Sequence, residues 1–139
     1  MRQFAEVLSV ETPGRGLLEV TAKVAAWASA AEMTTGLLTI FCRHTSASLL
    51  VQENAAAEVR QDLEAYFARI APEDPFRYAH DDEGPDDMPA HLRTALTGVQ
   101  LSIPLMNGRL QLGTWQGIYL FEHRRRPHRR ELALHLIGE

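Results

Sequence analysis

Alternating and continuous apolar segments run along most of the chain and predict a structure built mainly from β-strands. Segments rich in β-branched and aromatic residues predict strands at residues 4–10, 17–20, 37–43, 45–51, 99–106, 115–121 and 131–137. The alternation is clearest in the last segment, where Leu132, Leu134 and Leu136 share one face. Residues 37–43 are nearly all apolar, so this strand is expected to be buried on both faces.

Apolar residues at helical spacing predict two longer helices. Thr21 is expected to cap the first, which extends through about residue 33, and Asn54 is expected to cap the second. Pro72 and Pro75 end the second helix and open a polar loop. One face of this helix carries an apolar stripe, formed by Val59, Leu63, Phe67 and Ile70.

A shorter helix is predicted after this loop, with Pro89 in its first turn and its end near residue 96. Leu92 and Leu96 are expected to face the interior. If the helix starts slightly earlier, Asp87 and His91 lie one turn apart on the same face. This helix would then bring a carboxylate and an imidazole together.

The Asn107-Gly108 pair between two apolar segments predicts a β-hairpin. About six to eight mostly antiparallel strands with two to three flanking helices indicate the α+β class, built on an antiparallel β-sandwich. A chain of 139 residues can bury an adequate core without disulfides. We therefore expect a single domain that spans residues 1–139.

Charge is distributed unevenly along the chain. The 14 basic and 18 acidic residues give a net charge of −4, which argues against a nucleic-acid partner. Seven acids fall between residues 73 and 87, whereas five arginines fall between residues 124 and 130. An ordered acidic loop needs positive charge nearby, so we expect a bound cation or those arginines to balance it.

Cysteine usage and hydropathy indicate where the protein works. Cys42 is the single cysteine, which excludes an intramolecular disulfide and favours a reducing compartment. Its apolar neighbours predict that it is a core residue. The chain has no signal-peptide-like segment and no apolar window of the roughly 18 residues that a membrane span needs. We expect a cytoplasmic protein with no membrane partner.

Three histidines are candidates for a metal site: His44 at a strand end, His80 in the acidic loop and His91 on the short helix. Imidazoles with a carboxylate are common Zn²⁺ ligands, and three protein ligands with an open position are typical of catalytic sites. The alternative is three exposed or hydrogen-bonded histidines. Glu83, Asp86 and Asp87 could bind Mg²⁺ through water, assist His91 or orient a metal-bound histidine, or they could belong to a solvated acidic loop.

Other polar positions suggest substrate contacts. Ser46 lies near His44, but no Gly-x-Ser-x-Gly segment surrounds it, so its hydroxyl is better suited to a backbone bond or an oxyanion. Trp115 and Gln116 stand between two glycines and could line a pocket for a flat ring or simply pack after a bulge. The late arginines could hold a phosphate through two hydrogen bonds, although an exposed hairpin tip would have the same composition.

Several ordered motifs together resemble the YjbQ family, known as secondary thiamine-phosphate synthases. The resemblance covers almost the whole chain, and the ordered set is more specific than any single motif. The motifs are His44-Thr45-Ser46-Ala47, Glu53-Asn54, Tyr78-x-His80, Glu83-Gly84-x-Asp86-Asp87, Ala90-His91-Leu92 and Asn107-Gly108-Arg109-Leu110-x-Leu112-Gly113-Thr114-Trp115-Gln116.

The resemblance implies a β-sandwich assembled as a homotrimer, with a divalent metal, zinc or magnesium, as cofactor. It implies that hydroxymethylpyrimidine diphosphate and thiazole phosphate are joined with release of pyrophosphate. The catalytic residues would be His44, Asp87 and His91, and the metal ligands would be His44, His80 and His91. The phosphorylated substrate would be bound by Ser46, Glu83, Trp115, Gln116 and Arg129.

Two other classes of function stay open. One is a metal-dependent hydrolase of a small phosphorylated or acyl substrate, in which a histidine-bound metal activates water. The other is a non-catalytic trimer that binds a metabolite. In that case the changes Glu83→Gln and His80→Ala would leave its ligand interaction intact.

Overall fold

Eight strands and three α-helices make up the protein, in a computed structural model that describes residues 1–139. The predicted α+β class is confirmed. No helix is long and apolar enough to cross a membrane. In chain order the elements are β1 (Arg2–Thr12), β2 (Gly16–Glu19), α1 (Thr21–Ala30), β3 (Thr35–Cys42), β4 (Ala47–Glu53), α2 (Ala57–Ile70), α3 (Asp87–Thr97), β5 (Gln100–Met106), β6 (Arg109–Leu110), β7 (Gln116–Glu122) and β8 (His128–Gly138).

The strands form two antiparallel sheets that share one hydrophobic core. The larger sheet has the order β1-β8-β3-β5-β6, and the smaller has the order β2-β7-β4. β8 pairs with β1 along its full length, from Arg2 opposite Gly138 to Thr12 opposite His128, and with β3 on its other side. The alternation predicted for β8 is confirmed, since its three inward leucines are buried with Leu49 and Leu120 of the smaller sheet.

The outer face of the larger sheet is open, and β3 shows this most clearly. Leu38 and Ile40 point into the core and are fully buried, whereas Leu37 and Phe41 are 41% and 44% exposed. The prediction that β3 is buried on both faces is therefore wrong. All three helices pack against strands of the smaller sheet or against β6, so none covers this face.

Two predicted helix caps are absent. Thr21 begins α1, but its hydroxyl accepts a hydrogen bond from the Ile118 N–H (2.8 Å) and caps nothing, and the helix ends at Ala30. Asn54 precedes α2 by three residues and makes no cap. No side chain caps α2, and the N–H of Ala56, the residue just before the helix, donates a hydrogen bond to Glu53 Oε2 (3.1 Å).

The third helix buries a different face from the one predicted. Leu96 is 64% exposed, so its predicted inward position is wrong. The buried face is centred on Ala90, Arg93 and Thr94, and Arg93 is 1% exposed. Its guanidinium donates a hydrogen bond to the Glu64 carboxylate of α2 (2.6 Å). An ion pair between two helices thus replaces the expected leucine contact.

The predicted hairpin is confirmed between β5 and β6, where Leu105 pairs with Leu110. Asn107 and Gly108 both have positive φ, 52° and 75°. A two-residue turn of this kind favours asparagine and glycine at its two central positions, which explains the strength of the sequence signal.

A buried ion pair ties the two sheets together at the end where β7 and β8 are joined. Glu122 and Arg130 are 0% and 4% exposed, and the Arg130 Nε donates to Glu122 Oε1 (2.8 Å). The Thr12 hydroxyl donates to the same oxygen (2.7 Å). Burial alone would raise the pKa of Glu122, but the hydrogen bonds from Arg130 and Thr12 hold it below its ordinary value. The carboxylate is therefore charged and fully paired.

Removing one partner of this pair should destabilise the fold severely. Arg130→Met is expected to lower the free energy of unfolding by about 3–5 kcal/mol, because Glu122 is left charged and unpaired in the core. The double change Glu122→Gln with Arg130→Met should cost less than Arg130→Met alone. Urea denaturation measures both, and the exposed neighbour Arg129→Met is the control. Equal losses in the two arginine variants would contradict the importance of the pair.

A second buried polar group lies between the smaller sheet and the helices. His123 is 0% exposed, and its Nε2 is 2.8 Å from the Ser48 hydroxyl, which in turn accepts a bond from Thr97 (2.6 Å). Burial, and then the nearby guanidinium charges of Arg93 and Arg130, lower the pKa of His123 from an ordinary 6.5 to about 3. The imidazole is therefore neutral in the folded protein.

This neutral histidine should make stability depend on pH. Between pH 6.5 and about 3 the unfolded chain binds a proton at His123 that the folded chain does not, so stability falls as the pH falls. We expect a loss of about 3 kcal/mol between pH 7 and pH 4 from this group. Denaturation of His123→Gln across this range should show a shallower slope. If His135→Gln on the outer face of β8 flattens the slope equally, the assignment is wrong.

Candidate metal centre

Three side chains converge where the acidic loop meets α3. His80 Nε2 is 2.9 Å and His91 Nε2 is 3.0 Å from the same oxygen, Asp87 Oδ2. The three potential ligand atoms all lie within 4.8 Å of one another. The sequence-based expectation that Asp87 and His91 share a helix face is confirmed by their contact. Two imidazoles and one carboxylate are thus available to hold a single cation.

The local sequence explains this convergence. Asp87 is the first residue of α3 and His91 lies one turn later, so both side chains project from the same side of the helix. Gly84, with φ 99°, turns the loop just before the helix, and the Asp87 N–H donates to the Gly84 carbonyl (3.3 Å). This turn brings His80 back over the start of the helix. Asp87 is buried, whereas the side chain of His80 is 44% exposed.

The hydrogen-bond partners of the imidazoles limit where their protons can lie. His91 Nδ1 is 2.8 Å from the carbonyl oxygen of Thr45, and since a carbonyl can only accept, this nitrogen carries a proton. In the neutral ring His91 Nε2 therefore presents a lone pair to the Asp87 carboxylate. His80 lies between two acceptors, Asp87 and Asp82, whose Oδ1 is 3.3 Å from its Nδ1. A proton or a metal ion must occupy the space where these lone pairs meet.

Arg124 holds the carboxylate of Asp87 in place. Its Nη1 donates to Asp87 Oδ1 (2.8 Å), its Nε to Asp86 Oδ2 (3.0 Å), and its Nη2 to the Glu83 carbonyl (2.9 Å). The bond to Asp87 uses the oxygen that faces away from the histidines. Burial alone would raise the pKa of Asp86, but bonds from Arg124 and from the Arg125 N–H lower it. The expectation that arginines balance the acidic loop is confirmed.

His44 does not join the three-residue cluster. Its Nε2 accepts a hydrogen bond from the Glu131 N–H (2.8 Å), which ties the ring to the start of the β8 core segment. Burial, and then the charge of Arg130, lower its pKa, so the ring is held neutral. The sequence placed His44 among the metal ligands because it ends a strand, but the backbone amide takes the nitrogen that a metal would need. His44 does share a groove with His91.

Two predicted substrate-binding residues lie near the cluster but are already engaged. Ser46 is 9% exposed, and its hydroxyl accepts a hydrogen bond from Arg130 Nη2 (2.9 Å). Glu83 contributes its backbone carbonyl to Arg124, and its side chain lies on the exposed loop. Ser46 therefore belongs to the buried ion-pair network, and Glu83 supports the arginine that positions Asp87.

Three other predicted substrate-binding residues lie elsewhere. Gln116 pairs with Glu53 at one end of β7, whereas Glu122, beside the cluster, pairs with Ala47 at the other end. The two ends are roughly 20 Å apart at the usual rise of a strand. Trp115 is 63% exposed beside Gln116. The structure therefore does not bring them to the cluster. Arg129 is exposed on β8 and its Nη2 donates to Ser9 (3.1 Å), also away from it.

Sequence reasoning missed the specific role of Arg124, which it placed in a phosphate-binding group of arginines. The signal was present, since the acidic loop needed positive charge, but no spacing rule says which arginine supplies it. It also missed His123 and Arg93. Both residues are polar and buried, but their neighbours in the sequence are a mixture of polar and apolar residues. No local sequence pattern therefore predicts that these two side chains are buried.

Almost the whole chain matches known proteins. A family model described as UPF0047 protein YjbQ-like matches residues 6–139. The chain belongs to the YjbQ family. A UPF0047 protein from Synechocystis is 52% identical over 138 residues, covering 99% of this chain and 94% of its own. The UPF0047 protein YjbQ of Escherichia coli O157:H7 is 40% identical, covering 98% and 99%.

Solved structures share the fold of this chain. A conserved hypothetical protein from Thermus thermophilus superposes with a TM-score of 0.84 at 39% identity, covering 95% of this chain and 99% of its own. A YbjQ-like protein from Sulfolobus solfataricus reaches a TM-score of 0.87 at 19% identity, covering 99% and 100%. The second likeness shows that the fold persists when most of the sequence has changed.

Arg124 should control how well this YjbQ-family protein binds a divalent metal. Arg124→Gln is expected to weaken Zn²⁺ binding about 10-fold to 100-fold, because Asp87 loses the bond that orients its carboxylate. Chelator competition measures the dissociation constant, and circular dichroism checks the fold. Arg126→Gln, an exposed arginine two residues away, is the control. An unchanged dissociation constant in the folded Arg124 variant would exclude this positioning role.

Proposed function

We propose that this protein is a divalent-metal-dependent transferase that joins hydroxymethylpyrimidine diphosphate to thiazole phosphate. The observation that carries the proposal is the convergence of His80, Asp87 and His91 on one point, with ligand atoms close enough together to hold one cation. The reaction releases a highly charged leaving group, and a metal beside arginines suits that demand. The choice of substrates comes from the resemblance to secondary thiamine-phosphate synthases.

The donor set fits zinc better than magnesium. Imidazole nitrogens are good ligands for zinc, whereas magnesium prefers six oxygens. Two histidines and one carboxylate leave positions for substrate or water, which is the arrangement of catalytic sites. The bond that His91 Nδ1–H donates to the Thr45 carbonyl fixes His91 in the tautomer with a free Nε2, and Arg124 fixes Asp87. Both ligands are therefore oriented before a metal arrives.

The proposed reaction needs no acid or base. The lone pair of the thiazole nitrogen forms a new bond to the pyrimidine methylene, and the electrons of the breaking C–O bond leave with the diphosphate. A bound divalent cation would stabilise the charge that develops on that diphosphate. Arg124, Arg125 and Arg126 line a small cavity of about 310 Å³ together with Glu83, Gly84 and Asp86. Arg124 is bonded to Asp86 and Arg125 to Glu73, so we propose that Arg126 supplies the positive charge for a departing diphosphate.

Hydrolysis of a small phosphorylated substrate is the second candidate. The exposure of the cluster favours it, since the side chains of His80 and His91 are 44% and 30% exposed. Water can reach such an exposed centre freely, as hydrolysis requires. The transfer reaction would instead need the bound substrates themselves to exclude water. Both candidates use the same residues, so the products distinguish them.

Assembly as a homotrimer forms part of the proposal. The open face of the larger sheet carries half-exposed apolar side chains, including Val7, Leu37 and Phe41. A patch of this kind on a monomer favours contact with another protein surface. A second copy of this chain is the occupant that the family resemblance implies. Such a contact could also bring Trp115 and Gln116 of one copy closer to the metal centre of another.

Metal content and product formation test the proposal together. We expect close to one zinc per chain in gently purified wild-type protein, and less than one tenth of that in His80→Ala, Asp87→Asn and His91→Ala. The loss follows because each removes one of three ligands. Pyrophosphate and thiamine phosphate formation should fall at least 100-fold in the same variants. His135→Ala, a histidine on the outer face of β8, should change neither.

Three outcomes separate the candidate functions. Coupled loss of metal and of thiamine phosphate supports the transferase. The hydrolase replaces the transferase if the wild type forms no thiamine phosphate but hydrolyses p-nitrophenyl phosphate, and the variants lose both the metal and this hydrolysis. Wild-type protein that contains no metal and forms no product contradicts both, and leaves a binding protein as the explanation.

A further inference from the structure

The acidic loop between α2 and α3 is fixed to the protein near each of its ends. Near its start, the Glu73 carboxylate accepts a hydrogen bond from Arg125 Nε (3.0 Å). Near its end, the Asp86 carboxylate accepts hydrogen bonds from Arg124 Nε and from the Arg125 N–H, both of 3.0 Å. Residues 74–82, which we call the loop tip, lie between these two anchors.

The loop tip contacts little of the rest of the protein. Every hydrogen bond and ion pair that it makes stays within residues 72–87. The side chain of Phe76 is 98% exposed. A cavity of about 210 Å³ is lined by Tyr78 of the loop tip and Met88 of α3, so the two are not tightly packed together. A segment with so few buried contacts separates from the protein at a low cost in free energy.

His80 supplies the only hydrogen bond between the loop tip and α3, through its Nε2 and Asp87 Oδ2 (2.9 Å). Its side chain is 44% exposed, so water competes for this bond. Asp87 and His91 instead project from the helix itself, where Arg124 and the Thr45 carbonyl orient them. Two of the three candidate ligands are therefore fixed, and the third belongs to a weakly attached segment.

We infer that metal binding orders the loop tip, and that it does so through His80. Asp87 and His91 offer a preformed pair of ligands, and coordination by His80 then closes the loop tip over the first turn of α3. Binding of a metal can order a segment in this way, because its ligands must be brought together to hold it. Without a cation the loop tip opens and gives a metal access to the site. The inference rests on the proposed function only for the presence of that cation.

Bonds within the loop tip transmit the order of His80 to its neighbours. The Tyr78 hydroxyl donates to the Pro72 carbonyl (2.7 Å), and the Phe76 N–H donates to Asp74 Oδ1 (3.0 Å). Residues on the N-terminal side of His80 are thus held together as one turn. A probe attached at position 76 therefore reports whether His80 is fixed.

A spin label at position 76 tests the inference. Phe76→Cys provides an exposed attachment site, whereas native Cys42 is 1% exposed and burial raises the pKa of its thiol to about 11, which protects it from the reagent. Zn²⁺ is diamagnetic, so it does not itself broaden the electron paramagnetic resonance spectrum. We expect Zn²⁺ to lengthen the rotational correlation time of the label about threefold or more. The control label, at Ala65→Cys on the exposed side of α2, should not respond.

A second comparison tests the role of His80. In the Phe76→Cys background, His80→Ala should leave the label equally mobile with and without Zn²⁺, including at concentrations that load the site. Asp81→Asn removes an acid that makes no hydrogen bond or ion pair, and it should keep the response. If the label still slows in zinc-loaded His80→Ala, or if Asp81→Asn alone abolishes the response, the role given to His80 is wrong. Circular dichroism checks that both variants are folded.

The outcomes separate this inference from the proposed function. If the wild type binds zinc and forms thiamine phosphate but the label at position 76 does not respond, the inference is wrong and the proposed function stands. If zinc slows the label but no thiamine phosphate forms, the inference stands and the transferase is rejected. A protein that binds no zinc contradicts both. Equal slowing at positions 76 and 65, with a change in molar mass by light scattering, indicates association of the whole protein and also overturns the inference.

Discussion

The buried pair of Glu122 and Arg130 is the interaction on which the rest of the structure depends. It joins β7 of the smaller sheet to β8 of the larger one inside the sandwich, and it also engages Thr12 and Ser46. Glu122 Oε2 accepts hydrogen bonds from the backbone N–H groups of His123 (3.0 Å) and Arg124 (3.1 Å). The core ion pair therefore fixes the turn that follows β7.

That turn connects the core to the cluster of His80, Asp87 and His91. Arg124 lies in this turn and donates three hydrogen bonds to the acidic loop, to Asp86, Asp87 and the Glu83 carbonyl. Asp87 in turn contacts His80 and His91 and so orients both rings. Along this path each charged side chain contacts a group of opposite charge. Each carboxylate is therefore positioned by a residue that is fixed by further hydrogen bonds of its own. A loop rich in acids can then be ordered because arginine offsets its negative charge.

The strands were largely predictable because β-periodicity and the Asn107-Gly108 turn are local signals. Helix caps failed where tertiary bonds competed, as at Thr21, whose hydroxyl binds Ile118. The contact between Asp87 and His91 was predictable from their spacing on a helix. The contact of this pair with His80, which lies in the preceding loop, was only one of several arrangements that the sequence allowed. His44 lies outside the cluster because its Nε2 accepts a hydrogen bond from the Glu131 N–H. The two residues are 87 positions apart in the sequence, so no local pattern predicts their contact.

The position of β8 has a consequence for how the chain folds. This strand follows all the others in sequence yet lies between β1 and β3. A ribosome that has released only the first 120 or so residues exposes those two strands with no neighbour between them. The larger sheet therefore forms only after synthesis of β8, through contacts of very high sequence separation. Slow folding, with a period in which strand edges are unpaired, follows from this order of strands.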